Sequence, residues 1–153
     1  MAVTDGQREP GQSPPSGLQQ LRALLDGAEP PGIATSLKFS LVEVSEGRAV
    51  FSATPGLHAY NPIGSVHGGY AATLLDSACG CAVHSRLSGR QRYTTLELKV
   101  AYHKGISTET GPLRAEGRVV TLGKRVAFTE ATLTDAAGKL YASATSTLLI
   151  IEE

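Results

Sequence analysis

One stretch constrains the fold of this chain more than any other. From Gly68 to about Leu87, the apolar positions Ala71, Ala72, Leu74, Leu75, Ala78, Cys79, Ala82 and Val83 spread round much of a helical circumference. A helix that is apolar nearly all round is buried on several sides. Its small residues, Ala71, Ala72, Ser77, Ala78, Gly80 and Ala82, let other elements approach closely. One carboxylate, Asp76, stands inside this run. A buried charge without partners is expensive. Asp76 therefore either accepts hydrogen bonds from neighbouring hydroxyls or backbone, as a satisfied core aspartate, or it is a reactive group. A reactive acid there can serve as general base on a water or as nucleophile on a carbonyl.

The sequence around this helix reads differently. "LQQLRALLDG" sets Leu18, Leu21, Leu24 and Leu25 on one face of a short helix, with Gly27 as its stop and Pro30-Pro31-Gly32 ending the unit. From Ile33 the period is two: Leu37, Phe39 and Leu41 alternate with polar residues, Glu46-Gly47 turns the chain, and Ala49, Phe51 and Ala53 return. After Gly89, "YTTLELKVAYHKG" alternates again, and the remainder reads as three strands with turns at Leu122-Gly123-Lys124 and Asp135-Ala136-Ala137-Gly138. Short turns join neighbours antiparallel. The order is a short helix, two strands, one long buried helix and four strands. That is an α+β chain, an antiparallel sheet curled round one helix.

Length and charge narrow the function. The 153 residues suit one domain and can bury a core without staples. Residues 1–17, rich in Pro, Gly, Gln and Ser, read as a disordered arm. They lack the basic start and apolar run of a secretory signal, and no stretch of about 18 apolar residues exists, so the expectation is a cytoplasmic protein without a membrane span. Fourteen acidic residues balance fourteen basic ones, without a basic cluster of the kind nucleic acid requires. Cys79 and Cys81, two apart on a helix, point to nearly opposite sides and read as small buried hydrophobes. His58, His67, His84 and His103 show no metal-ligand spacing, and the glycines form neither a Walker loop nor a Rossmann fingerprint.

His67-Gly68-Gly69 falls where loop becomes helix. The first N–H groups of a helix lack internal partners, and the helix dipole favours an anion there. Glycine lets a ligand carbonyl approach the backbone. Gly68 N–H is thus a candidate oxyanion donor. Asn61 and His67, taken alone, also suit a turn residue and a loop histidine bonded to backbone. Gly123-Lys124-Arg125 is either a solvated turn or a phosphate contact.

The ordered set Asn61, then His67-Gly68-Gly69, then Asp76 resembles the signature of hotdog-fold acyl-CoA thioesterases, specifically the PaaI-type (phenylacetate-pathway) group. The likeness continues through "TTLELKVAYHKG", "LGKRVAF" and "DAAGKLYASATSTLLI" and covers roughly residues 33–151. It implies a single hotdog domain over 18–153, a homodimer with active sites between subunits, and dimers that often form tetramers. Asp76 would be the catalytic carboxylate. Gly68 N–H would polarise the thioester carbonyl beside Gly69. Asn61 and His67 would order the loop and help place substrate or water. Thr95, or Thr94, would match a Ser/Thr supplied by the partner subunit. Gly123, Lys124 and Arg125 would lie near the coenzyme A phosphates, coenzyme A being part of the substrate with no separate cofactor or metal. The family often has Arg-Pro where this chain has His103-Lys104, so that phosphate contact falls to Lys104 if it is kept. Two other functions remain open to the fold: a non-catalytic acyl-CoA binding protein and an enoyl-CoA hydratase or dehydratase.

Overall fold

A computed structural model describes residues 13–153. Its elements are α1 (Gly17–Leu25), α2 (Gly32–Leu37), β1 (Phe39–Ser45), β2 (Arg48–Ala53), a 3-10 turn (Leu57–Ala59), α3 (Gly68–His84), β3 (Gln91–Tyr102), β4 (Leu113–Leu122), β5 (Val126–Asp135) and β6 (Leu140–Glu152). The six strands form one antiparallel sheet in the order β1-β2-β4-β5-β6-β3. It curls round α3, as the sequence predicts for a hotdog chain.

The expected small-residue contacts are what seat the helix. A Cβ on Gly117 of β4 would lie 2.3 Å from the carbonyl of Ala78. The strand thus touches the helix backbone itself. Around that contact Leu74, Leu75, Ala78 and Cys79 of α3 meet Leu113, Ala115, Leu133 and Ala142 of the sheet, all fully or almost fully buried.

Three expectations are corrected. Residues 33–37 are not strand: Pro31 caps α2, and Lys38 takes a left-handed turn (φ 57°) before β1 begins at Phe39. The long helix stops at His84, three residues short of Leu87, because Ser85 Oγ bonds back to the carbonyl of Ala82 while accepting from Gly47 N–H. Residues 13–17 of the expected arm are built into the fold. Ser16 and Gln19 form a reciprocal cap on α1, and Gly17 N–H bonds the carbonyl of Leu87 at 3.0 Å. The rest of the expected arm, residues 1–12, lies outside the described residues.

Two features of the sheet matter below. β3 pairs with β6 on one side and occupies the sheet edge on the other. Its register shifts between Thr95 and Glu97, a bulge at Leu96. On the face away from α3, Glu43, Arg48, Glu116 and Arg114 close a ring of ion pairs at 3.0, 2.8, 3.6 and 2.7 Å. The ring surrounds Val50, which pairs with Glu43 and Glu116 across the strands and is fully buried.

Candidate active site

The loop before α3 is closed by its own side chains. Asn61 Oδ1 accepts from Ile63 N–H and Ser65 N–H, both at 3.1 Å, and its Nδ2 donates to Ser65 Oγ at 3.0 Å. These bonds hold the turn in which Gly64 has φ +89°. His67 is the N-cap of α3, and its Nδ1 accepts from Gly69 N–H at 2.8 Å. The same closeness explains Gly69, where a Cβ would meet that nitrogen at 2.9 Å. Asn61 and His67 therefore order the loop and the helix start.

Gly68 is different. Its N–H donates to no acceptor among the described residues. Its carbonyl accepts from the Tyr102 hydroxyl at 2.8 Å. Val66, His67, Gly68, Ala71 and Tyr102 to Ile106 line a cavity of about 320 Å³ at this helix end. A free donor at a helix N-terminus that opens on a cavity suits an anion or a polarised carbonyl oxygen.

Asp76 lies two turns further along, half-buried. Thr95 Oγ1 donates to its Oδ1 at 3.0 Å. The resemblance implied a threonine supplied by the partner subunit; within this chain, Thr95 itself reaches Asp76. Thr94 points the other way, exposed, as strand alternation requires. Asp76 Oδ2 has no hydrogen-bond donor among the described residues, so one oxygen is anchored and the other is available.

Eight residues of helix separate Gly68 from Asp76, a rise of about 12 Å. That rise is several times the span of a thioester's reacting atoms. The basic residues are divided in the same way. Lys104 lines the cavity and stands over the Tyr141 ring at 5.6 Å, and Lys139 beside it holds its ammonium below the ordinary lysine range. His103 also lines the cavity, and its Nε2 contacts Ser143 Oγ at 2.8 Å. Gly123, Lys124 and Arg125 form the β4–β5 turn, level with the start of β3, since Val126 and Thr94 both pair with Leu149. About ten strand residues, roughly 30 Å, lie between the two basic groups.

Cys79 and Cys81 are free thiols. Burial pushes Cys79 up to about 11, and burial together with the Asp76 charge pushes Cys81 up to about 12. Neither is a nucleophile near neutral pH. No group of three metal-ligating side chains occurs among the described residues. No helix among them is long and apolar enough to cross a membrane.

Sequence reasoning missed Tyr102. The alternation sets it on one apolar face with Leu96, Leu98 and Val100, opposite Thr95. The bulge at Leu96 corrects that pattern: Leu96 turns out to solvent, Thr95 shares the helix face with Leu98, Val100 and Tyr102, and the Tyr102 ring lies against Gly68.

A central helix wrapped by a curled antiparallel sheet is the architecture of a hotdog thioesterase. The thioesterase superfamily profile matches residues 63–142, more than half of the chain, and the chain belongs to that superfamily. An inferred esterase from Halobacterium salinarum is 41% identical over 69 residues, a stretch that is 44% of each protein. The chain thus matches under half the length of that curated relative. Among solved structures, a thioesterase family protein from Silicibacter pomeroyi superposes with a TM-score of 0.78 at 23% identity, over 90% of this chain and 100% of that one. The E. coli PaaI protein from the phenylacetic acid degradation operon gives 0.76 at 20% identity, over 88% and 94%. At these identities the structural likeness speaks for the fold.

Proposed function

We propose that the chain hydrolyses acyl- or aryl-acyl-CoA thioesters to the free acid and coenzyme A. The observation that carries this reading is the half-buried Asp76, held at one oxygen by Thr95 and open at the other. Gly68 N–H polarises the thioester carbonyl and receives the charge that develops on its oxygen. Asp76 takes a proton from the attacking water, or attacks the carbonyl itself to give a transient anhydride.

The helix rise of about 12 Å from Gly68 to Asp76 favours a site shared with a second copy of the chain. The free edge of β3 supports antiparallel self-pairing. Such pairing sets the Tyr102 end of one strand toward the Thr95 region of the other. One subunit's Gly68 then serves the thioester attacked through the other subunit's Asp76. The same exchange of ends draws Lys104 of one copy toward Lys124 and Arg125 of the other, where coenzyme A phosphates would lie. Dimers of this kind would assemble further into a homotetramer, and a cytoplasmic location suits a coenzyme A thioester substrate.

Thiol release over a panel of acyl-CoAs tests the activity. Asp76→Asn is expected to lower kcat roughly 10²–10⁴-fold. A variant that keeps wild-type turnover on every active substrate would overturn the assignment. Label appearing in Asp76 after a single turnover in ¹⁸O-labelled water would rule out simple base catalysis, because only attack by the carboxylate can put it there. Sedimentation across a dilution series is expected to show activity lost with the dimer.

A further inference from the structure

The proposed oxyanion donor belongs to a glycine, the residue with the greatest backbone freedom. An oxyanion donor stabilises a transition state only when it is already aimed, so that no reorganisation occurs during reaction. Something outside Gly68 must therefore fix its backbone. On one side, the His67 cap ties Nδ1 to Gly69 N–H at 2.8 Å. On the other, Tyr102 OH donates to the Gly68 carbonyl at 2.8 Å. These two bonds grip opposite ends of the same peptide unit, the one joining Gly68 to Gly69. The Gly68 N–H, on the preceding unit, is left as the unengaged donor beside the cavity.

The geometry points to Tyr102 as a positioning residue that fixes the Gly68 backbone and so aims the oxyanion donor; this rests on the thioesterase reading above. The glycine itself fits this account. Its φ is not in the left-handed region, so conformation alone does not demand glycine. A Cβ at residue 68 would instead stand 3.0–3.3 Å from the Tyr102 hydroxyl and ring, pressing the tyrosine off the carbonyl. Gly68 is small here so that Tyr102 can reach it. Tyr102 is 55% exposed, far more than core packing would require of an aromatic ring.

The test is Tyr102→Phe, which keeps the ring and removes the hydroxyl. Two readouts are taken on the full chain. The first is the ¹⁵N order parameter of the Gly68 and Gly69 amides, which needs no substrate. The second is kcat and KM on a hydrolysed acyl-CoA. The expected result is a lower order parameter at both glycines and a kcat about tenfold lower at unchanged KM, a smaller loss than the ~10²–10³ for deleting an oxyanion donor. Gly68→Ala is expected to cost far less in the Tyr102→Phe background than in the wild type, because the bond it displaces is already gone. Unchanged order parameters, or a loss confined to KM, would overturn the proposal. Should the wild type hydrolyse no thioester, the functional reading fails by itself, and the order parameters still decide whether Tyr102 fixes the glycine.

Discussion

Thr95 Oγ1 donates a 3.0 Å hydrogen bond to Asp76 Oδ1, linking the edge strand to the central helix. It orients the carboxylate without neutralising it, since a hydroxyl brings no charge. A hydrogen bond to a charged group contributes ~1.5–3 kcal/mol. Thr95→Val, close in shape but without the donor, is expected to lower kcat on the order of 10- to 100-fold. Thr95→Ser should retain most of the activity. Loss in Thr95→Ser with none in Thr95→Val would mean that the methyl group matters and the hydroxyl does not.

Gly117 meets the helix backbone at Ala78. Gly117→Ala places a methyl 2.3 Å from that carbonyl, in rigid backbone on both sides. Overpacking of this kind costs typically 1–3 kcal/mol. Urea denaturation is expected to show a lower midpoint at an unchanged slope.

The ion-pair ring makes stability depend on acid. Hydrogen bonds from Arg114, then from Arg48, lower the Glu43 carboxyl from 4.5 to about 2. The unfolded chain therefore takes up the proton first, and Glu43 adds stability only above that range. The contribution is present above about pH 4.5 and fades as pH falls toward about 2. Its size is modest, because the side chains are roughly 34–45% exposed and screened. Glu43→Gln should be less stable than wild type at pH 7, with the two converging as pH falls through this window. Parallel curves in urea unfolding from pH 7 to pH 2 would contradict it.

Both thiols should be slow. With Cys79 raised to about 11 and Cys81 to about 12, almost no thiolate exists at pH 8. Iodoacetamide at pH 8 is expected to label them far more slowly in the native protein than in urea, read by intact mass. Rapid native labelling of Cys81 would mean that the helix beside Asp76 opens readily.

The architecture was legible where side-chain periodicity and turn chemistry speak locally. The buried helix, the turns at Gly47 and Gly138, and the run of strands after Gly89 all follow from them. α2 was hidden because Leu37 and Phe39 continue an alternating pattern across a left-handed Lys38, a backbone choice that the pattern does not encode. The end of α3 was hidden because Ser85 answers to Gly47, 38 residues away. At the site, the helix start and Asp76 could be found from the chain alone. That Thr95 belongs to the same subunit as its aspartate depends on how helix and strand cross, which is a tertiary fact.

The bulge at Leu96 carries a consequence for how this sequence can vary. Thr95 and Tyr102 meet the helix at Asp76 and at Gly68 from one strand only because a single extra residue sits between them. Losing that one codon would turn Leu98, Val100 and Tyr102 outward together while leaving every side chain unchanged in kind. This segment can therefore drift in letters yet not in length. Among diverged copies of the gene, a strand that keeps its spelling but loses one position would mark a protein that has given up the chemistry.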